Sequence, residues 1–186
     1  STNLARWVDD MTIAVPSEED GKLLLRDLDT LLQMRGLRLN SGKTFILTAA
    51  EAADFFHQAE NQTVNDFADR IKALKGKRGR KRTALIGEIR RAFALFQKAP
   101  TVGQHSKVCA RYVGLAADLK SNLAMSYLRK NFSSSPEMRE VFYRYLQSVG
   151  PQVRAFNVID TYIRSDHAID DASVCHLAQL LVDWEV

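Results

Sequence analysis

Two adjacent carboxylates, Asp9 and Asp10, interrupt the run Arg6-Trp7-Val8-Asp9-Asp10-Met11-Thr12-Ile13-Ala14-Val15, which otherwise reads as a buried strand. Burying like charges side by side costs several kcal/mol unless a cation or a pKa shift neutralises them. A divalent ion such as Mg²⁺ takes hard oxygen ligands of this kind and commonly shares them with a substrate phosphate. The plain alternative is an exposed turn, where Asp-Asp pairs are frequent. Lys43, further along, reads on its own as a surface lysine after a turn.

The elements that must position these groups follow from local pattern. Ser17-Glu18-Glu19-Asp20 reads as a helix start, with Ser17 capping free N–H groups and three acids at the positive end of the dipole. Leu23, Leu24, Leu28, Leu31 and Leu32 recur at helical spacing, Met34 extends that apolar face, and Gly36 supplies the left-handed residue that ends it. Short strands are expected at Leu37-Arg38-Leu39 and Phe45-Ile46-Leu47, around a turn at Asn40-Ser41-Gly42. The order is hairpin, helix, two strands, which describes a sheet covered by a helix with the carboxylates at a tight turn.

Trp7-Val8-Asp9-Asp10, followed by Gly36-Leu37-Arg38-Leu39-Asn40-Ser41-Gly42-Lys43-Thr44, resembles the palm of bacterial reverse transcriptases. The first element is similar to their Tyr-x-Asp-Asp box, with Trp7 in place of the usual tyrosine beside the primer end. The second is similar to their Gly-Leu-x-Leu-Asn-x-x-Lys-Thr segment. The resemblance implies an RNA-directed DNA polymerase that joins dNTPs to a primer by two-metal catalysis. Asp9 and Asp10 would be its metal ligands for Mg²⁺, or Mn²⁺ in its place, with an RNA template or DNA primer as partner, and Lys43 would be the electrostatic partner of the triphosphate or a proton donor to the leaving group. It also implies a third carboxylate on a palm strand upstream of Ser1, so this chain is expected to be a fragment that does not polymerise alone.

The net charge of +4 hides an uneven distribution. Between Asp69 and Arg91 there are ten basic residues against two acids, whereas residues 1–68 hold six bases and eleven acids, and residues 92–186 hold ten and nine. The excess positive charge therefore lies in one segment, expected as helices over 64–74 and 82–98 joined by a loop at 75–81. Lys75, Lys77, Arg78, Arg80, Lys81 and Arg82 are its candidate phosphate contacts, with Gly76 and Gly79 allowing close approach. A solvated basic loop is the alternative. Phe93, Leu95 and Phe96 read as core of the second helix.

Beyond Pro100, amphipathic helices are expected over 104–118, 121–131, 136–147, 151–164 and 171–183, with Tyr143, Tyr145, Phe156 and Tyr162 as packing residues. Short connections make successive helices antiparallel, in a bundle or an irregular helical-repeat stack. The fold class is α+β: the end of a palm over 1–50, a basic thumb-like helical region over 51–99 and an α-helical extension over 100–186. A hydrophobic content of 46% supports a real core. Cys109 and Cys175 have no paired spacing, so neither a disulfide framework nor a zinc site is suggested. No apolar run approaches the ~20 residues of a membrane helix, and the cytoplasm is the expected compartment. Lacking a Cys- and His-rich endonuclease, the order of domains is most similar to abortive-infection and defence-associated reverse transcriptases. Two alternatives stand beside that reading: a catalytically inactive nucleic-acid-binding or oligomerisation module with a vestigial palm, and a group II intron or retron type; a second copy, in a homo-oligomer, is among the candidate partners.

Overall fold

The computed structural model describes residues 4–7, 10–74, 79–165 and 171–185. They form a mostly helical chain with one two-stranded antiparallel sheet, which agrees with the α+β class at that coarse level. Two compact units emerge, Ser1–Asp54 and Phe55–Val186.

The first unit opens with β1 (Leu4–Trp7) and β2 (Asp10–Ile13), paired in the register Leu4↔Ile13, Ala5↔Thr12, Arg6↔Met11 and Trp7↔Asp10. Helix α1 (Glu18–Gln33) starts where expected: the Ser17 hydroxyl accepts from the Asp20 N–H at 3.1 Å and donates to the Asp20 carboxylate at 2.6 Å. It ends at Gly36, whose φ of 72° turns the chain left-handed. The Leu37 N–H bonds the Leu32 carbonyl and the Gly36 N–H bonds that of Gln33, a Schellman closure. A short helix, α2 (Ala49–Phe55), comes next. Thr48 and Glu51 cap it reciprocally, the Thr48 N–H donating to the Glu51 carboxylate at 2.8 Å and the Glu51 N–H to the Thr48 hydroxyl at 3.2 Å.

The strands expected at 37–39 and 45–47 are not formed, since the sole ladder among the described residues joins β1 to β2. Alternating apolar residues make a strand only beside a partner that takes up their backbone groups. Ile46 lies instead across α1 at Gly21, where a Cβ would meet its side chain at 3.4 Å, and Gly21 is buried there.

The second unit holds the core. Helices α3 (Gln58–Ala73), α4 (Arg80–Phe96), α5 (His105–Asp118), α6 (Met125–Asn131), α7 (Arg139–Val149), α8 (Val153–Ile163) and α9 (Asp171–Asp183) follow. All but the limits of α3, which begins six residues before the expected 64, fall close to the sequence reading. One apolar cluster runs through them from Val64 and Phe67 to Leu177 and Leu180, with α5 in the middle. Residues on either side of position 100 therefore share a core. Phe93 stacks on Tyr112 at 4.8 Å between ring centres, and Tyr145 and Tyr162 are buried as expected. Leu95 is not core: at 73% exposed it sits on the outward side of α4, one residue out of phase with Phe93 and Phe96.

The entry to this unit is locked by an unusual pair of backbones. His57, at φ 47°, caps α3 and its Nε2 is 2.9 Å from the Val102 carbonyl. Gly103, at φ 53°, lies so close to Phe55 that a Cβ would run into its carbonyl oxygen and stand 2.8 Å from its Cα. The Gln104 N–H then bonds that same oxygen at 2.9 Å.

Candidate active site and nucleic-acid interface

The hairpin register places Trp7 and Asp10 as the closing pair of the β1–β2 ladder, with Val8 and Asp9 as the two-residue connection between them. Two-residue connections are the tightest that an antiparallel pair permits, and Asp10 follows directly on this one. Asp9 itself lies outside the described residues, and Asp10 is placed by its backbone at the first position of β2. Among the described residues no three His, Cys, Asp or Glu side chains converge on a common point. The donor chemistry of Asp10 beside Asp9, two hard carboxylates next to one another, fits a divalent cation rather than a soft metal.

Lys43 closes a single 3₁₀ turn, Ser41–Lys43. Asn40 builds that turn: its Oδ1 accepts from the Gly42 N–H at 3.1 Å, and its carbonyl accepts from the Lys43 N–H at 2.9 Å and the Thr44 hydroxyl at 2.8 Å. An Asx turn of this kind explains why Asn at this position fixes the loop. Lys43 is exposed, without an ion pair among the described residues, and no hydrogen bond among them joins it to the hairpin.

The basic segment differs from its expected form. Lys75, Lys77 and Arg78 lie outside the described residues, while Arg80 and Lys81 are not loop residues but join Arg82, expected as the helix start, in the first turn of α4. Gly79, at φ 142°, caps this helix without a side chain, and no acid stands in its first turn. Three cations at the positive end of a helix dipole repel it and one another, an arrangement that an external polyanion relieves. Arg82 is drawn elsewhere: its Nη2 donates to the Leu119 carbonyl at the C-cap of α5, where a cation is favoured. Arg80 and Lys81 are exposed. Arg70 and Lys72 are held within the segment, Arg70 by Glu88 at 2.7 Å and Lys72 by Asp69 at 3.0 Å. The Arg70 hydrogen bond keeps the Glu88 carboxyl below its ordinary pKa.

Side chains that spacing gave no sign of are joined across α3 and α5. Tyr112 donates to Glu60, and Arg111 donates to Asn61 and Asn65. Their partners lie 46 to 52 residues away, beyond any periodic signal. Burial and the Glu60 carboxylate together push the Tyr112 phenol far up. Cys109 is buried, its thiol raised by desolvation and placed 3.7 Å from His105 Nδ1, so it is an inert packing group; Cys175 is exposed.

Comparison of the chain with protein-family models, with curated proteins and with solved structures gives no match. No helix among the described residues is long and apolar enough to cross a membrane.

Proposed function

We propose that this chain carries the catalytic hairpin and following helical region of a reverse transcriptase-like DNA polymerase, which transfers nucleotidyl groups from dNTPs to a primer end. The observation that supports this reading most is the hairpin register. Its closing pair Trp7↔Asp10 leaves two residues between the strands and puts Asp10 at the first position of β2, which is compatible with a paired-carboxylate box. A second support is the uncovered apolar side of the first unit, where Leu23, Leu31, Met34 and Leu37 are exposed. A palm with further strands would cover it.

In this reading Asp9 and Asp10 hold Mg²⁺, or Mn²⁺ in its place, together with a third carboxylate on another palm strand. When bound, the ions supply charge stabilisation at the α-phosphate and a more acidic primer hydroxyl. Lys43 presents an exposed ammonium to the triphosphate from its Asn40-closed turn, and Trp7 flanks the primer end. Arg80 and Lys81, with Lys75, Lys77 and Arg78, contact the phosphate backbone. By domain order the protein stands nearest the defence-associated reverse transcriptases.

The deciding experiment is radiolabelled dNTP incorporation by this chain joined to palm strands that carry the third carboxylate, with and without added RNA. Asp9→Ala with Asp10→Ala is expected to abolish it, and undiminished incorporation by the double variant overturns the proposal. Arg80→Ala with Lys81→Ala is expected to weaken nucleic-acid binding at every sequence and to lower the salt slope by roughly one for each phosphate no longer neutralised. Binding that survives the Asp changes while incorporation never occurs favours the alternative, a vestigial palm on a nucleic-acid-binding module.

A further inference from the structure

A groove of about 310 Å³ opens between α3, α5 and α7, and none of the candidate metal, triphosphate or phosphate-backbone residues lines it. It exists because the facing side chains are small: Ala68 on α3 and Ala110 and Gly114 on α5 leave a depression where larger residues would interlock. Two guanidiniums border it. Arg111 is fixed by its bonds to the Asn61 carbonyl (3.3 Å), the Asn61 side chain and the Asn65 side chain (2.5 Å). All these partners are neutral, so its charge is oriented yet not compensated, and of its five N–H donors the Nε and one Nη2 hydrogen stay unused. Arg144 on α7 reaches over Gly114, its Nη2 3.5 Å from where a Cβ would be, and is exposed with no hydrogen bond or ion pair among the described residues. Asp118 also borders the groove without pairing with either arginine.

We infer that this groove docks an acidic peptide segment of a partner protein, with a small aliphatic side chain in the depression and flanking carboxylates on Arg111 and Arg144. Charge complementarity selects the sign of the ligand, because two guanidiniums face one carboxylate. The rest of the lining is aliphatic and carries no aromatic ring, which suits an aliphatic anchor and offers nothing on which a base would stack. The groove is open along its length rather than enclosed, as an extended segment needs. Planar guanidinium forks bind carboxylates in two-point contacts, so a peptide with acids on both sides of its anchor engages both arginines at once. This inference does not depend on the polymerase reading.

The test is fluorescence anisotropy of the full 186-residue chain with the fluorescein-labelled pentapeptide Glu-Glu-Leu-Glu-Glu. The Lys-Lys-Leu-Lys-Lys peptide and a single-stranded oligonucleotide serve as further probes. Saturable binding of the acidic peptide is expected. It should fall at least tenfold in Arg144→Ala, about the factor that one charge-assisted contact carries. It should fall similarly in Gly114→Leu, which fills the depression without changing charge. Arg80→Ala with Lys81→Ala should leave it unchanged. Circular dichroism confirms that each variant is folded; should Gly114→Leu unfold, Ala110→Leu takes its place. Binding that is absent, that persists in Arg144→Ala and in the filled groove, or that disappears only with Arg80 and Lys81 overturns the proposal. Displacement of the peptide by the oligonucleotide, with the same weakening in Arg144→Ala, makes the groove a nucleic-acid site and overturns it too.

Discussion

The two units of this molecule are built on opposite plans. In Ser1–Asp54, Gly21 is the single buried residue among those described, while Leu23, Leu31, Met34 and Leu37 stand open. Its side-chain hydrogen bonds run between near neighbours: Ser17 with Asp20, Asn40 with Gly42, Thr48 with Glu51. In Phe55–Val186 a continuous core runs through the helices, and side-chain bonds such as Arg139 to Ser173 and Tyr145 to Ser121 join residues 34 and 24 apart. Local bonds define turns and caps, but only burial supplies enough free energy to offset the entropy of ordering a chain. The first unit thus has defined local structure without a core of its own, and the second has both. For function this means that the unit carrying the β1–β2 hairpin lacks a core of its own, whereas the basic helices sit on a body that holds itself together.

The largest expected effect comes from separating the units. Residues 55–186 expressed alone should melt in one cooperative transition, with a stability in the range of about 5–15 kcal/mol common to small domains. Residues 1–54 alone should melt gradually, since a lone hairpin and one helix are marginal in water. Circular dichroism against temperature decides, and a sharp transition from the short piece breaks the contrast. Single truncations sharpen it. Leu128→Ala, at a site 0% exposed on α6, should cost about 2–5 kcal/mol, and Leu31→Ala, at 60% exposed on α1, less than about 0.5 kcal/mol in urea unfolding.

The same contrast explains what the sequence made legible. Helices of the second unit were readable, the start of α3 apart, because prolines and apolar spacing are local, although no side chain caps α3 to α8. Ser17 and Gly36 were readable in the first unit for the same reason. Helix α2 carried a local sign too, the Thr48-x-x-Glu51 capping box, which a search for apolar spacing passes over. The strands at 37–39 and 45–47 were misjudged because a strand depends on a neighbour, and no pattern within a segment reveals whether that neighbour is present. Arg82 looked like one of six equivalent cations, yet its carbonyl partner at Leu119 lies 37 residues away. The Arg111 and Arg144 groove was invisible for a related reason: it arises from three helices whose spacing in sequence says nothing of their faces.

Two glycines test the contrast at the level of backbone. Gly103 and Gly36 both have positive φ, 53° and 72°. A methyl group on Gly36 meets nothing within 4 Å, so Gly36→Ala should cost only the left-handed penalty of about 1–2 kcal/mol, confined to the end of α1. On Gly103 it runs into the Phe55 backbone, which adds a clash worth about 1–3 kcal/mol in a region where backbones cannot part without breaking the Gln104 bond. Unfolding of Gly103→Ala should therefore shift by roughly twice as much as that of Gly36→Ala, and equal shifts would show that the 55–57 junction is not locked.

The last effect is a matter of pH. All five tyrosines lie in the second unit, and burial pushes the Tyr145 phenol up to about 12 from an ordinary 10, opposed in part by a backbone hydrogen bond at Ala124. Tyr112 and Tyr127 are raised by burial as well, and further by Glu60 and Cys109. A raised phenol stays neutral in the folded state while the unfolded chain ionises, so its contribution is intact below pH 10 and is lost as pH rises from 10 towards 12. Each such tyrosine removes about 1.4 kcal/mol per pH unit across that window. In a Trp7→Phe background, Trp184 fluorescence reports the second unit alone, and urea unfolding from pH 7 to about 11 should show this falling slope. Tyr145→Phe should lower stability by about 1 kcal/mol at pH 7, because the Ser121 carbonyl loses its donor at 2.8 Å. It should also flatten the alkaline slope by about one proton's worth. An unchanged slope would mean that the Tyr145 hydroxyl reaches water, and the second unit would then be less closed than its core indicates.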